Sequence, residues 1–397
     1  MTKEKAVNKK DIKEKVVDKS GWATVAICYD FDKTLSPLNM QEYSFIPKIG
    51  MDKDAFWAQN TKFSKENNMD LILGYMFKMI AESSKVDVTC NSKITESDLN
   101  KLGKDIELFE GVETWFSQIE KLADTLEINV EHYIISAGIK EMIEGTSIAK
   151  RFKKIYASSF AFDKKCKYAI WPSQVVNSTN KTQFLFRINK GCLDELDGKG
   201  LNKSMEQEKR HIPFDRMIYI GDSETDIPCM TLVKRNGGYS IGVFNPADNS
   251  KGNVYELIND GRINYFAPAD YRKGKQLYCT LQLIFNKIHA EVELKNIEIK
   301  QKNEQKNYYQ SLQFNGFAFE TNLKKAISTN EKGLLQKLLN GKFEFDDEEI
   351  ERLSLVKFAV LETFPCDWER IVRDTCKKEN PELYRTAETL AMQNNND

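Results

Sequence analysis

Apolar positions in this chain follow two rhythms. Short runs of β-branched, aromatic and aliphatic residues at 22–29, 133–135, 217–220 and 238–244 read as buried strands. Between and after them the spacing turns helical. Residues 56–63 and 69–80 are helix candidates, and Leu73, Met76, Phe77 and Ile80 make one apolar stripe on the second. That stripe is expected to be mostly core packing, with part of it facing a ligand cleft. Phe184, Leu185 and Ile188 suggest another helix. Further candidates lie at 317–339, 346–364 and 367–376. The middle one is opened by Asp346, Asp347, Glu348 and Glu349, a helix-start signal. Strands interleaved with helices predict an α/β chain with a largely parallel sheet.

Three of the strand runs end in the same way. The first is followed by Asp30-Phe31-Asp32-Lys33-Thr34-Leu35. Residues two apart in extended chain point to one side, so Asp30 and Asp32 can converge on a small volume. In open α/β sheets ligands sit at the carboxyl ends of the strands. Two carboxylates that close repel unless a cation or a shared proton intervenes. Mg²⁺, a hard cation that takes oxygen ligands and commonly shares them with phosphate, suits the pair. The run at 217–220 ends in Gly221-Asp222-Ser223-Glu224-Thr225-Asp226, adding Asp222 and Asp226 to the candidate metal ligands. The run at 133–135 ends in Ser136-Ala137-Gly138, where a hydroxyl and backbone N–H groups at a helix start can hold a phosphate oxygen. Lys181, opening the helix that carries Phe184, can neutralise that phosphate; Lys190, at the far end of the helix, is its rival. Each fragment alone is also what an ordinary capped loop looks like. It is their joint order along the chain that points to phosphoryl transfer.

With these residues in hand, the chain resembles the haloacid dehalogenase-like hydrolases, over roughly residues 21–250. Details point to the phosphoserine phosphatase-type branch. They are the 134–138 segment, the paired extended segments at 158–162 and 169–172, and the long insertion between Thr34 and Ser136. The resemblance implies a Rossmann-like three-layer sandwich with a parallel sheet. It also implies a helical cap inserted after the first strand and, here, a helical C-terminal extension. By the same resemblance Asp30 is the nucleophile that becomes an aspartyl-phosphate. Asp32 protonates the leaving group and then activates water. Thr34, Ser136, Ala137, Gly138 and Lys181 seat the phosphoryl group. Asp30, Asp32 through its backbone carbonyl, Asp222 and Asp226 hold Mg²⁺. The implied activity is Mg²⁺-dependent hydrolysis of a small phosphorylated metabolite. A phosphotransferase or mutase, and a non-catalytic sensor of a phosphorylated ligand, are the alternatives. Ser223 departs from the branch, which usually has Gly there. So does the polar insert between Gly191 and Phe214.

Composition adjusts this picture in a few places. The chain has 397 residues, enough for two or three domains, and its 41% apolar content supports a sizeable core. The expected divisions are a charged arm at 1–20, a catalytic core at 21–35 and 109–290, a cap at 36–108 and the extension at 291–397. The extension reads first as a helical appendage packed on the core, and second as a surface for self-association or partner binding. Net charge is −1, so no nucleic-acid partner is expected. The eight cysteines include no C-x-x-C pair, the first 20 residues carry no apolar signal core, and no run reaches membrane-spanning length. A cytoplasmic protein with reduced thiols and no membrane contact is the expectation.

Overall fold

Seven strands form one sheet in the computed structural model, which describes residues 21–83, 93–247 and 251–329. They are β1 (Ala23–Tyr29), β2 (Ile128–Ile139), β3 (Lys154–Phe162), β4 (Ala169–Gln174), β5 (Met217–Gly221), β6 (Tyr239–Phe244) and β7 (Tyr265–Pro268). Their order across the sheet is β4-β3-β2-β1-β5-β6-β7. Only the β3–β4 pair is antiparallel. β1 is central, and the chain order reverses on either side of it, so a ligand crevice is expected at its carboxyl end.

The helices that follow β1 are α1 (Met40–Tyr43), α2 (Phe45–Lys48), α3 (Lys53–Glu66), α4 (Leu71–Ser83) and α5 (Glu96–Gly103). Then come α6 (Val112–Asp124) before β2, α7 (Lys140–Glu144) after it, and α8 (Thr182–Lys190) and α9 (Gly198–Asn202) before β5. α10 (Ile227–Arg235) and α11 (Gly252–Asn259) flank β6, and α12 (Gln276–Thr329) follows β7.

Strands buried on both faces must be apolar throughout, which is why the first run carries no polar alternation. Val25, Ile27 and Tyr29 join Trp115, Phe116 and Ile119 of α6 and Leu277, Leu281 and Ile284 of α12 on one face. Ala26, Cys28 and Tyr219 meet Phe184 and Leu185 of α8 and Met230 and Val233 of α10 on the other. At about 1.5–3 kcal/mol for each large apolar side chain buried, these two layers clamp the central strands. A buried hydrogen-bonded group lies inside the first layer. Trp115 Nε1 donates to the Tyr29 hydroxyl at 2.9 Å, and that hydroxyl shares a hydrogen bond with His132 Nδ1 at 3.1 Å.

Residues 1–292 form one compact unit, which includes the sheet and helices α1 to α11; residues 293–397 form a second. Of the second unit the structure describes 293–329, all helical. The polar stretch at 296–307 is therefore helix. Its Lys, Glu and Gln are good helix formers, and Lys302 pairs with Glu298 one turn earlier. The expected arm at 1–20, residues 330–339 of one helix candidate, and the candidates at 346–364 and 367–376 lie outside the described residues. No described helix is long and apolar enough to cross a membrane.

Candidate active site

Strand register brings the separate motifs together. Tyr29 is level with Ile134 of β2 and with Ile220 of β5. Asp30 follows Tyr29, Ser136 is two residues past Ile134, and Asp222 is two past Ile220, so the three lie side by side across β1, β2 and β5. The Asp30 N–H donates to Ile220 O at 3.0 Å, holding the loop against β5. Beyond Asp32 the chain turns sharply. Lys33 adopts φ 57°, an uncommon left-handed conformation for a residue other than Gly, and the Leu35 N–H closes on Phe31 O at 2.8 Å. Tyr271 donates to Thr34 O at 2.8 Å, and the Thr34 hydroxyl donates to Asp222 Oδ1 at 3.2 Å.

Lys181 is the charged centre of this arrangement. Its ammonium is fully buried, 3.1 Å from Asp30 Oδ2 and 2.7 Å from Asp226 Oδ1. Lys190 is elsewhere: its Nζ donates to Leu201 O at 2.6 Å and Lys203 O at 2.7 Å, tying down the insert after α8. Asp226 also accepts from the Tyr219 hydroxyl at 2.7 Å and, through Oδ2, from Ser223 N and Oγ at 3.3 Å. Gly221 is required beside it, since a Cβ there would lie 2.6 Å from Asp226 Oδ2.

Burial and mutual repulsion set the acidities. Asp30 is pushed up to about 6 by burial and by Asp226, while Lys181, the Ser136 hydroxyl and the Phe31 N–H pull the other way. Burial, then Asp30, raises Asp32 to about 8, partly offset by the Met40 N–H that donates to its Oδ1 at 2.9 Å. Asp222 is held well above the ordinary carboxylate range by burial, Asp226 and Asp30. Burial works against the Lys181 charge, but Asp226 and Asp30 outweigh it and keep the ammonium protonated.

Oxygens of Asp30, Asp222 and Asp226 all lie within 4.8 Å of one another. Three hard oxygen donors that repel one another fit a divalent cation such as Mg²⁺. The Asp32 carboxylate stands outside that group, bonded to Met40.

The Ser136 segment differs from the expected helix start. β2 runs on to Ile139, with a break in its register against β3 between Ser136 and Ile139, and α7 begins only at Lys140. The Gly138 N–H donates to Ser136 Oγ at 3.1 Å, within the segment itself. Gly138 allows a close approach: a Cβ would lie 2.1 Å from Met40 Cε and 3.2 Å from Asp32 Oδ2.

A cleft of about 310 Å³ opens above these groups. Asp30, Asp32, Ser136 and Asp222 line its floor, and Trp57, Leu71, Ile72 and Tyr75 line it from α3 and α4. The expected stripe is therefore out of phase. Leu73, Met76, Phe77 and Ile80 are not in the lining; Met76 is buried, and Phe77 stacks on Phe63 at 5.3 Å. The rotation of α4 is set at Gly74, where a Cβ would lie 2.2 Å from Ser64 Oγ of α3. Pressing that point against α3 turns Ile72 and Tyr75 toward the cleft. Tyr75 also donates to Ala137 O at 2.6 Å, a link from helix α4 to the Ser136 loop that sequence reasoning missed. Tyr219 was missed as well; its polar tip in an apolar strand two residues before Gly221 was the available signal.

A family model described as haloacid dehalogenase-like hydrolase matches residues 27–231, just over half of the chain. An uncharacterized protein of Borreliella burgdorferi is 28% identical over 273 residues, covering 64% of this chain and 94% of its own length. Among solved structures, a HAD family hydrolase of Salmonella enterica serovar Typhi is similar at 16% identity and a TM-score of 0.39. That match covers 57% of this chain and 65% of the other, so the chain spans just under two thirds of that protein's length. A phosphoserine phosphatase solved as a phospho-aspartyl intermediate analogue is similar at 14% identity and a TM-score of 0.39, with 66% and 99% covered. A probable phosphoserine phosphatase of Vibrio cholerae is similar at 10% identity and a TM-score of 0.42, with 68% and 66% covered.

Proposed function

The chain belongs to the haloacid dehalogenase-like hydrolase family, and from that premise we propose that it is a Mg²⁺-dependent phosphatase of the phosphoserine phosphatase-type branch, acting on a small phosphorylated metabolite. The observation that carries the reading is the buried Lys181 ammonium held between Asp30 and Asp226 beside Asp222. A carboxylate nucleophile needs neighbouring positive charge when a phosphate dianion approaches it, and this lysine supplies it without titrating.

Asp30 attacks phosphorus and the ester oxygen leaves. Asp32 gives that oxygen its proton, so an alcohol departs and an aspartyl-phosphate remains on Asp30. The raised pKa of Asp32, about 8, keeps it protonated at neutral pH for this step. Asp32, now ionised, takes a proton from water. The resulting nucleophile releases phosphate and restores both carboxyl groups. Ser136 hydrogen-bonds Asp30 and lies where the phosphoryl oxygens would rest. Thr34 orients Asp222, and Asp226 restrains Lys181 through its Oδ1. Asp30, Asp222 and the Asp32 carbonyl are the groups assigned to the metal, with Asp226 behind them. Mg²⁺ bound there would offset charge on the phosphate oxygens and on Asp30.

The test is release of inorganic phosphate from an aryl phosphate by the purified chain. Activity should appear with Mg²⁺, vanish with chelator and vanish in Asp30→Asn. Phosphate passed to an acceptor in place of water would make the protein a transferase, and full activity in Asp30→Asn would remove the nucleophile from the reading.

A further inference from the structure

We propose that the leaving group is hydroxyl-bearing and carries no carboxylate, a polyol or sugar, recognised from the cap by Gln41, Asn39 and Thr61 against the faces of Trp57 and Tyr75. The inference rests on the phosphatase reading above and narrows its substrate.

Gln41 is the first observation. It lines the cleft, is 1% exposed, and its Oε1 meets no donor among the described residues. A buried amide oxygen left without a donor is costly. A hydroxyl on the substrate relieves that cost, whereas a carboxylate, which only accepts, does not. The amide is set four residues before Phe45, on a helix whose Met40 N–H holds Asp32. A group bonded to Gln41 is thereby placed next to the general acid.

The second observation is the charge behind the wall. The Glu42 carboxylate accepts from Asn39 Nδ2 and, at 2.9 Å, from Trp57 Nε1. Asn39 and Trp57 both line the cleft, so a negative charge sits directly behind two of its surfaces. A carboxylate-bearing leaving group lying against these surfaces meets like charge. Lys33, the cation in the lining, belongs to the nucleophile loop beside Asp32 and is a residue of the phosphate end.

The third is shape. Trp57 and Tyr75 cross edge to face at 5.9 Å and 80°, presenting apolar surface beside the amide and hydroxyl groups. Hydrogen-bonding groups alternating with aromatic faces match a ring or chain whose C–H and O–H groups alternate.

The experiment compares esters that share the phosphate and differ in the leaving group: glycerol phosphate and ribose 5-phosphate, phosphoserine, and an aryl phosphate as reference. The native chain should turn over the hydroxylated esters with kcat/KM at least tenfold above phosphoserine. Gln41→Leu should lower the ratio of hydroxylated-ester to aryl-phosphate kcat/KM about tenfold. Gln41→Arg should raise phosphoserine relative to the hydroxylated esters. Equal or better use of phosphoserine by the native chain overturns the proposal. So does an unchanged ratio in Gln41→Leu. A parallel measurement separates this inference from the catalytic reading, the thermal upshift that each ester gives Asp30→Asn. Should no ester release phosphate, the phosphatase reading falls. The order of upshifts then still decides the ligand class: hydroxylated esters ahead of phosphoserine sustains it, phosphoserine ahead overturns it.

Discussion

The Lys181 ammonium lies 3.1 Å from the Asp30 carboxylate, with both side chains shut away from solvent. About two and a half helix turns separate it from Lys190, whose charge is spent on two carbonyls of the neighbouring insert. The two lysines therefore make opposite predictions.

Lys181→Ala should lower phosphatase activity by at least a hundredfold. It should also destabilise the fold by about 3–5 kcal/mol, because Asp226 and Asp30 lose the charge that compensates their burial. Lys190→Ala should change activity less than threefold. Kinetics and urea unfolding of the two variants check this; an active Lys181→Ala beside an inactive Lys190→Ala would reverse the assignment.

The raised pKa of Asp32 sets the alkaline side of the pH profile. The first step needs its protonated form, and a value of about 8 extends that form through neutral pH. kcat/KM should hold through pH 7 and fall as pH rises past about 8. Asp32→Asn should cost roughly 10²–10⁴ in rate and erase that limb. A limb that survives in Asp32→Asn belongs to another group.

Metal demand should follow the carboxylates. Asp222→Ala should raise the Mg²⁺ concentration for half-maximal activity more than tenfold, and Ser223→Ala much less, because only the first removes a hard anionic donor. Titrating each variant with Mg²⁺ gives the comparison. Similar demand in both would place the metal away from Asp222.

His132 gives a stability prediction independent of catalysis. Burial, with Arg151 adding to it, lowers its pKa to about 3, against an ordinary 6.5. The unfolded chain then binds the proton more readily than the native one. The contribution to stability is complete above pH 6.5 and is lost as pH falls toward 3, at no more than about 1.36 kcal/mol per pH unit. Between pH 6.5 and 5 the native chain should lose about 2 kcal/mol through this group. His132→Leu should show a correspondingly shallower pH dependence in urea unfolding. An identical slope would mean that His132 is protonated in the native protein.

Gly221→Ala should impair activity at least tenfold with Mg²⁺ saturating. The added methyl would meet Asp226 Oδ2 at 2.6 Å, and that carboxylate cannot yield without moving Lys181. Near-native kinetics in Gly221→Ala would show that Asp226 has room to shift.

Much of this protein is legible in its sequence, because strand burial and the residues that end strands are local matters. Continuous apolar runs before Asp30, Ser136 and Asp222 marked strands covered on both faces, and acids just past such runs marked a crevice. What the sequence leaves open depends on contacts between distant segments. Lys181 and Lys190 are alike as letters; only the packing of α8 against α10 and β5 puts one ammonium between Asp30 and Asp226. The apolar stripe of α4 gave a helix but not its rotation, which Gly74 sets by pressing on Ser64 of α3. So Ile72 and Tyr75, not Leu73 and Met76, line the cleft. The Tyr75 bond to Ala137 spans 62 positions, and the Thr34 bond to Asp222 spans 188. Periodicity reports which residues avoid water, since that is a property of each short segment. Which polar groups then meet inside is decided by the one arrangement of the segments that buries them together.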